Sequence, residues 1–177
     1  MAMANVTFPF GGNPYKIEIA DRNLAEILSP QPSKPLGDLD GAINKALDSP
    51  IGQRPLSDWI KPTDRVVIVS DDNTRLTPAD RILPPLLDRL NSAGVDDSKI
   101  SCIMALGTHR YMTEEEMADK IGPEVYRRIT VRNHEWRDPS ALIDLGHSTQ
   151  GTPLMVNRFV ADADVVIGLG AIVPHHI

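Results

Sequence analysis

Apolar and polar positions change rhythm several times along the chain. Residues 15–20, YKIEIA, alternate apolar and polar, the period of a strand covered on one face. SPQPSKP, residues 29–35, is rich in Pro and Ser and reads as an extended connector. In LGDLDGAINKALDSP, Leu39, Ile43, Ala46 and Leu47 fall on one helical face. Asp38 or Asp40 can cap that helix, and Pro50 stops it. From residue 61 onward the runs become continuous. RVVIVS (65–70), KISCIMAL (99–106) and DVVIGLGAI (164–172) are dominated by β-branched and apolar residues, as in strands buried on both faces. TPLMVN (152–157) reads as a further strand.

Helical patterns separate these runs. TPADRILPPLLDRLNSAG offers Thr77 as cap, Pro78 at the first helical position and Gly94 as stop. Pro84 and Pro85 inside it predict a kink or a break. TEEEMADKIG has Thr113 as cap, Glu116 at the capping-box position and Gly122 as its end. Strand, helix, strand, helix with no tandem repeat predicts an α/β fold: a mostly parallel sheet with flanking helices. In such a sheet the loops after the strands share one edge, where open α/β sheets bind ligands.

Three polar motifs follow three buried runs directly. VVIVS leads into DDNTRLT, ISCIMAL into GTHR, and DVVIGLGAIV into PHH. Parallel strands would bring Asp72, Asn73, Thr74, Arg75, His109 and His175 to one edge. Each motif also has a plainer reading. Asp71 and Asp72 can cap a turn, Arg75 can be a solvated charge, His109 a loop residue, and PHH a frayed end or the remnant of a tag. His134 in VRNHEW and His147 in LGHST read as structural. No two histidines have the i, i+4 spacing of a zinc helix, and there is no CxxC pair. GLGAIV lacks the third glycine of a dinucleotide fingerprint.

Arginine binds a carboxylate through a two-pronged, charge-assisted pair. Histidine titrates near neutrality and can take or give a proton. Two histidines flanking a small substrate would let either enantiomer lose its proton, the requirement of a racemase or epimerase.

Composition narrows the field. The chain has 177 residues, 41% of them hydrophobic, enough for a domain with a real core. A net charge of −6 argues against general nucleic-acid binding. The single cysteine, Cys102, lies in an apolar run. It cannot form an internal disulfide and fits a buried thiol in a reducing, cytoplasmic setting. No basic, apolar leader opens the chain, and no window approaches the roughly 20 apolar residues of a membrane span.

Taken together, SDDNTR (70–75), GTHR (107–110) and GAIVPH (170–175), the last led into by DADVVIGLG (162–170), resemble the N-terminal domain of the nickel-dependent lactate racemases. The resemblance runs from about residue 10 to the end. It implies a Rossmann-like domain and a nickel pincer nucleotide, a pyridinium mononucleotide with two thiocarboxylate-type groups. That cofactor is thought to accept a hydride from the α-carbon of a 2-hydroxy acid and return it to either face. By the same resemblance, Asp72, Asn73, Thr74 and Arg75 contact the cofactor and Arg75 also binds the substrate carboxylate. His109 and His175 are the paired catalytic proton donor/acceptors, and His176 is a neighbour. The family usually has proline after the arginine, where this chain has Leu76. Its glycine-rich segment with the cofactor-attaching lysine, a nickel-ligating histidine and the C-terminal domain are expected beyond Ile177. Residues 1–177 are therefore read as one N-terminal catalytic domain, a fragment inactive by itself. The intact protein would need dedicated cofactor-synthesis enzymes as partners. The rival reading is a non-catalytic module that binds a nucleotide or carboxylate through Arg75 and the glycine turn. A hydrolytic metal enzyme using Asp71, Asp72 and the histidines is a further alternative.

Overall fold

The computed structural model describes residues 2–10, 12–29, 31 and 34–173. His175 and His176 lie outside the described residues. The chain divides into two compact units, Met1–Leu36 and Gly37–Ile177. The first is a hairpin of β1 (Met3–Phe10) and β2 (Asn13–Ala20), paired antiparallel from Met3↔Ala20 to Phe10↔Asn13. Tyr15 lies across from Phe8 and diagonal to Phe10, with ring centroids 5.7 and 6.1 Å away. Aromatic pairs of this kind stabilise a hairpin through cross-strand contact.

The second unit opens with α1 (Leu39–Asp48), where the Asp38 carboxylate accepts from the Gly41 N–H at 2.9 Å. Then follow β3 (Val66–Asp71), α2 (Ala79–Ser92), β4 (Ile100–Ala105), α3 (Glu114–Ile121), α4 (Pro123–Arg128) and β5 (Thr130–Asn133). A hairpin of β6 (Leu142–His147) and β7 (Pro153–Asn157), the short α5 (Arg158–Ala161) and β8 (Val165–Leu169) complete it. Four strands form one sheet in the order β5-β4-β3-β8, every pair parallel. The α/β fold with a parallel sheet is thus as the pattern predicts.

The core lies between this sheet and its helices. Val66, Ile68, Cys102 and Met104 from the strands meet Leu83, Leu87 and Leu90 of α2, all fully buried. Leu83, Leu86, Leu87 and Leu90 keep the i, i+3, i+4, i+7 spacing that turns one helical stripe inward. Each such side chain contributes about 1.5–3 kcal/mol when fully buried. That stripe accounts for one departure from expectation: α2 runs unbroken through Pro84 and Pro85. The two missing N–H groups leave the carbonyls of Asp80 and Arg81 without helical donors, yet the packed leucines keep the segment one helix. A second departure is Thr77. Its hydroxyl does not cap α2 but donates to the Asp71 carboxylate at 2.5 Å, and Pro78 takes the cap position.

α3 starts and stops as its sequence predicts. Thr113 and Glu116 form both halves of a capping box. Gly122 ends the helix at φ +87°, where a side chain would be strained and would also meet Asp80 of α2 at 3.6 Å.

Candidate functional site at the carboxyl edge of the sheet

Register places the site. Asp71 pairs with Ala105 across β3 and β4, and Ser70 with Leu169 across β3 and β8. The three strands therefore end level, and the loops from residues 72, 106 and 170 leave the same edge. Asp72, Asn73, Thr74, Arg75 and His109 meet there. His134 follows β5 at this edge too, while His147 ends β6 in the separate two-stranded sheet.

The first loop is folded by its own side chains. One oxygen of Asp72 accepts from the Thr74 N–H at 3.1 Å and the Thr74 hydroxyl at 2.6 Å, and the Arg75 N–H returns to the Asp72 carbonyl at 3.2 Å. Such Asx turns are a local alternative to strand or helix bonding. The second loop turns at Gly107, with φ +58°, and the His109 N–H bonds the Leu106 carbonyl at 2.9 Å.

These two turns join through a single contact. The other oxygen of Asp72 lies 2.5 Å from Nδ1 of His109. The Asp72 side chain is 4% exposed and the imidazole 48% exposed. Burial pushes the Asp72 carboxyl up, but bonds from the Thr74 hydroxyl, the His109 ring and the Thr74 N–H outweigh it and hold the group below the ordinary carboxylate range. An ionised carboxylate only accepts, so Nδ1 is the donor. A neutral ring with its proton on Nδ1 leaves Nε2 bare. Asp72 thus turns its carboxylate inward, onto His109 and Thr74.

His134 is held the other way. Nδ2 of Asn157 donates to its Nδ1 at 3.1 Å, while Oδ1 of Asn157 accepts from the Phe159 N–H and fixes the amide's orientation. Its neutral ring therefore carries the proton on Nε2, opposite to His109.

Asn73, Thr74 and Arg75 are exposed beside this pair. None of the ion pairs among the described residues engages the Arg75 guanidinium. Leu76 is 98% exposed.

Two residues of α3 lie beside the site: Glu116, which the sequence offers as a capping-box residue, and Lys120, which the sequence alone does not single out. Glu116 takes Arg110 in a bidentate pair at 2.6 and 2.8 Å, which draws its carboxyl down to about 2. Lys120, 6% exposed, lies 3.0 Å from the buried Oδ1 of Asp71 and donates to the carbonyls of Arg75 and Thr77 at 2.9 and 3.1 Å. The sequence signal for both was their i, i+4 spacing in the helix that follows GTHR. A polar cavity of about 260 Å³ lies between Asn73, Glu116, Asp119 and Lys120. A larger one, about 400 Å³, opens at the amino ends of β3 and β4 beside Arg65, Lys99, Arg132 and Phe159. It holds no imidazole, so it is not the candidate site. Among the described residues, no three His, Cys, Asp or Glu side chains cluster as a metal site.

Known proteins resemble this chain in sequence and in fold. The chain is 31% identical over 175 residues to the lactate racemase of Lactiplantibacillus plantarum, and 27% identical to that of Thermoanaerobacterium thermosaccharolyticum. Both matches cover 98% of this chain but 41% of the relative, so the chain spans about two fifths of the curated relatives' length. The structure of the lactate racemase apoprotein from T. thermosaccharolyticum superimposes with a TM-score of 0.76 at 26% identity, over 93% of this chain and 38% of that one. Residues 10–177 match the lactate racemase N-terminal domain, and the chain belongs to that family.

Proposed function

We propose that this chain is the N-terminal part of a nickel-dependent racemase or epimerase of a lactate-like 2-hydroxy acid. The observation that carries the reading is the Asp72–His109 pair: a buried carboxylate holds a half-exposed imidazole, and the same turn carries Arg75, whose guanidinium enters no ion pair among the described residues. Arg75 binds the substrate carboxylate through its guanidinium fork. His109 takes the hydroxyl proton of one enantiomer at Nε2 and returns it. His175, placed by sequence order after β8, does the same for the other enantiomer.

The donor set here suits the anionic part of a nickel pincer nucleotide. The side chains of Asn73 and Arg75 are exposed with polar hydrogens to offer, Thr74 is exposed while its hydroxyl and N–H are both given to Asp72, and a Cβ at Gly107 would meet open space. These residues would hold the nucleotide. The cofactor-attaching lysine and the nickel-ligating histidine would come from the part of the protein that the relatives have beyond this match. When bound, the group supplies a hydride-accepting centre for the substrate α-carbon. Cofactor-synthesis enzymes would serve the intact protein in the cytoplasm, the compartment that the lone buried thiol suits.

The test uses the full-length protein, loaded with cofactor and supplied with lactate, malate, aromatic hydroxy acids and sugar acids in single-enantiomer form. Chiral chromatography is expected to show interconversion of at least one of them. His109→Ala should lower that rate about 10²–10⁴-fold while leaving the fold unchanged. No interconversion by the loaded wild type, or full activity in His109→Ala, would overturn the reading.

A further inference from the structure

We propose that Lys120 is a positioning residue, setting the loop that carries Arg75 from the last turn of α3; this rests on reading Arg75 as the substrate-binding arginine. The ammonium has three hydrogens and three acceptors around it. Two are the carbonyls of Arg75 and Thr77, at 2.9 and 3.1 Å; the third is Asp71 Oδ1, an ion pair at 3.0 Å. No hydrogen bond among the described residues reaches that buried oxygen, so the charge of Lys120 is what it faces. The other Asp71 oxygen holds the Thr77 hydroxyl at 2.5 Å. Residues 71, 75 and 77 are thus gathered on one cation, and the loop between them has its shape fixed at both ends.

Apolar packing alone would be better served by a leucine or methionine, because a buried charge must recover its lost hydration through its partners. Lys120 instead spends its charge on backbone carbonyls of the loop next to the exposed guanidinium. Glu116 stands four residues earlier on the same helical face and grips Arg110, the neighbour of His109. One face of α3 therefore holds the arginine loop at its last turn and the histidine loop at its first.

The experiment compares Lys120→Met with wild type in the full-length, cofactor-loaded protein. KM for the accepted 2-hydroxy acid should rise about tenfold, with kcat changed less than about threefold, because a misplaced Arg75 weakens binding more than proton transfer. In an Arg75→Ala background the same change should add less than about twofold to KM, because the two act through one contact. In the cofactor-free full-length protein, amide exchange at Thr74 and Arg75 should quicken about tenfold while β4 amides stay as in wild type. Should Lys120→Met not fold, Lys120→Gln carries the same test, its amide being too short to reach the loop. Unchanged KM with unchanged exchange would overturn the proposal. So would a full tenfold effect retained without Arg75, which would make Lys120 merely structural. If the wild type interconverts no substrate, the functional reading fails, and the exchange rates still decide whether Lys120 sets the loop.

Discussion

The two ends of the parallel sheet treat charge in opposite ways. At the carboxyl end, Asp72 and Lys120 are 4% and 6% exposed, and each is paired with a group from another element. At the amino end, Arg65 pairs with Asp164 at 3.3 Å, with side chains 62% and 47% exposed. Water screens an exposed pair and leaves it little to contribute. A buried pair is expensive to desolvate, so apolar residues would stabilise the fold as well or better. Buried charges are gathered at the end where the loops must hold one shape. They direct an imidazole and an arginine rather than hold the sheet together.

Breaking the carboxyl end at its centre should have the largest effect. Asp72→Asn keeps the shape of the side chain, but its amide can donate toward Nδ1 and favour the opposite ring tautomer. Turnover by the loaded full-length enzyme should fall about 10²–10³-fold, with the melting temperature changed by only a few degrees. Removing support from below both ends should act on the fold alone. Leu87→Ala leaves a cavity under the sheet and should lower stability by about 2–5 kcal/mol in denaturant titration.

Acid should test the outer tie of the histidine loop. The Arg110 pair holds the Glu116 carboxyl near 2, below its ordinary value of 4.5. A lowered folded value means stabilisation that is complete above about pH 4.5 and lost as the pH falls through 2. The carboxyl carbon shift of Glu116 should therefore titrate with a midpoint near 2, and a midpoint near 4.5 would show the pair open in solution. The smallest effect belongs to the amino end. Arg65→Ala should move the melting temperature by no more than about 1 °C and leave activity unaltered.

Sequence and structure agree where the information is local. β3, β4 and β8 announce themselves as β-branched runs, and α3 carries its stop and start signals in Thr113, Glu116 and Gly122. β1 was not legible, because NVTFPF is interrupted by a proline and becomes a strand only against β2. The passage of α2 through Pro84 and Pro85 depends on leucines packing against strands far away in sequence. The convergence of the DDNTR and GTHR motifs could be read from strand order. The direction of each side chain could not. Asp72 and His109 are 37 positions apart, and Lys120 reaches back 45 to Arg75; only the register of the sheet and the placement of α3 set those contacts.

The central claim is that Asp72 holds His109 with its proton on Nδ1. The most direct measurement is the pair of ¹⁵N ring shifts of His109 in the full-length protein, at a pH where the ring is neutral. A protonated Nδ1 and a bare Nε2 are predicted, with the two shifts exchanging character in Asp72→Asn. A proton on Nε2 in the wild type would contradict the account, because the nitrogen facing the substrate could then no longer act as the base.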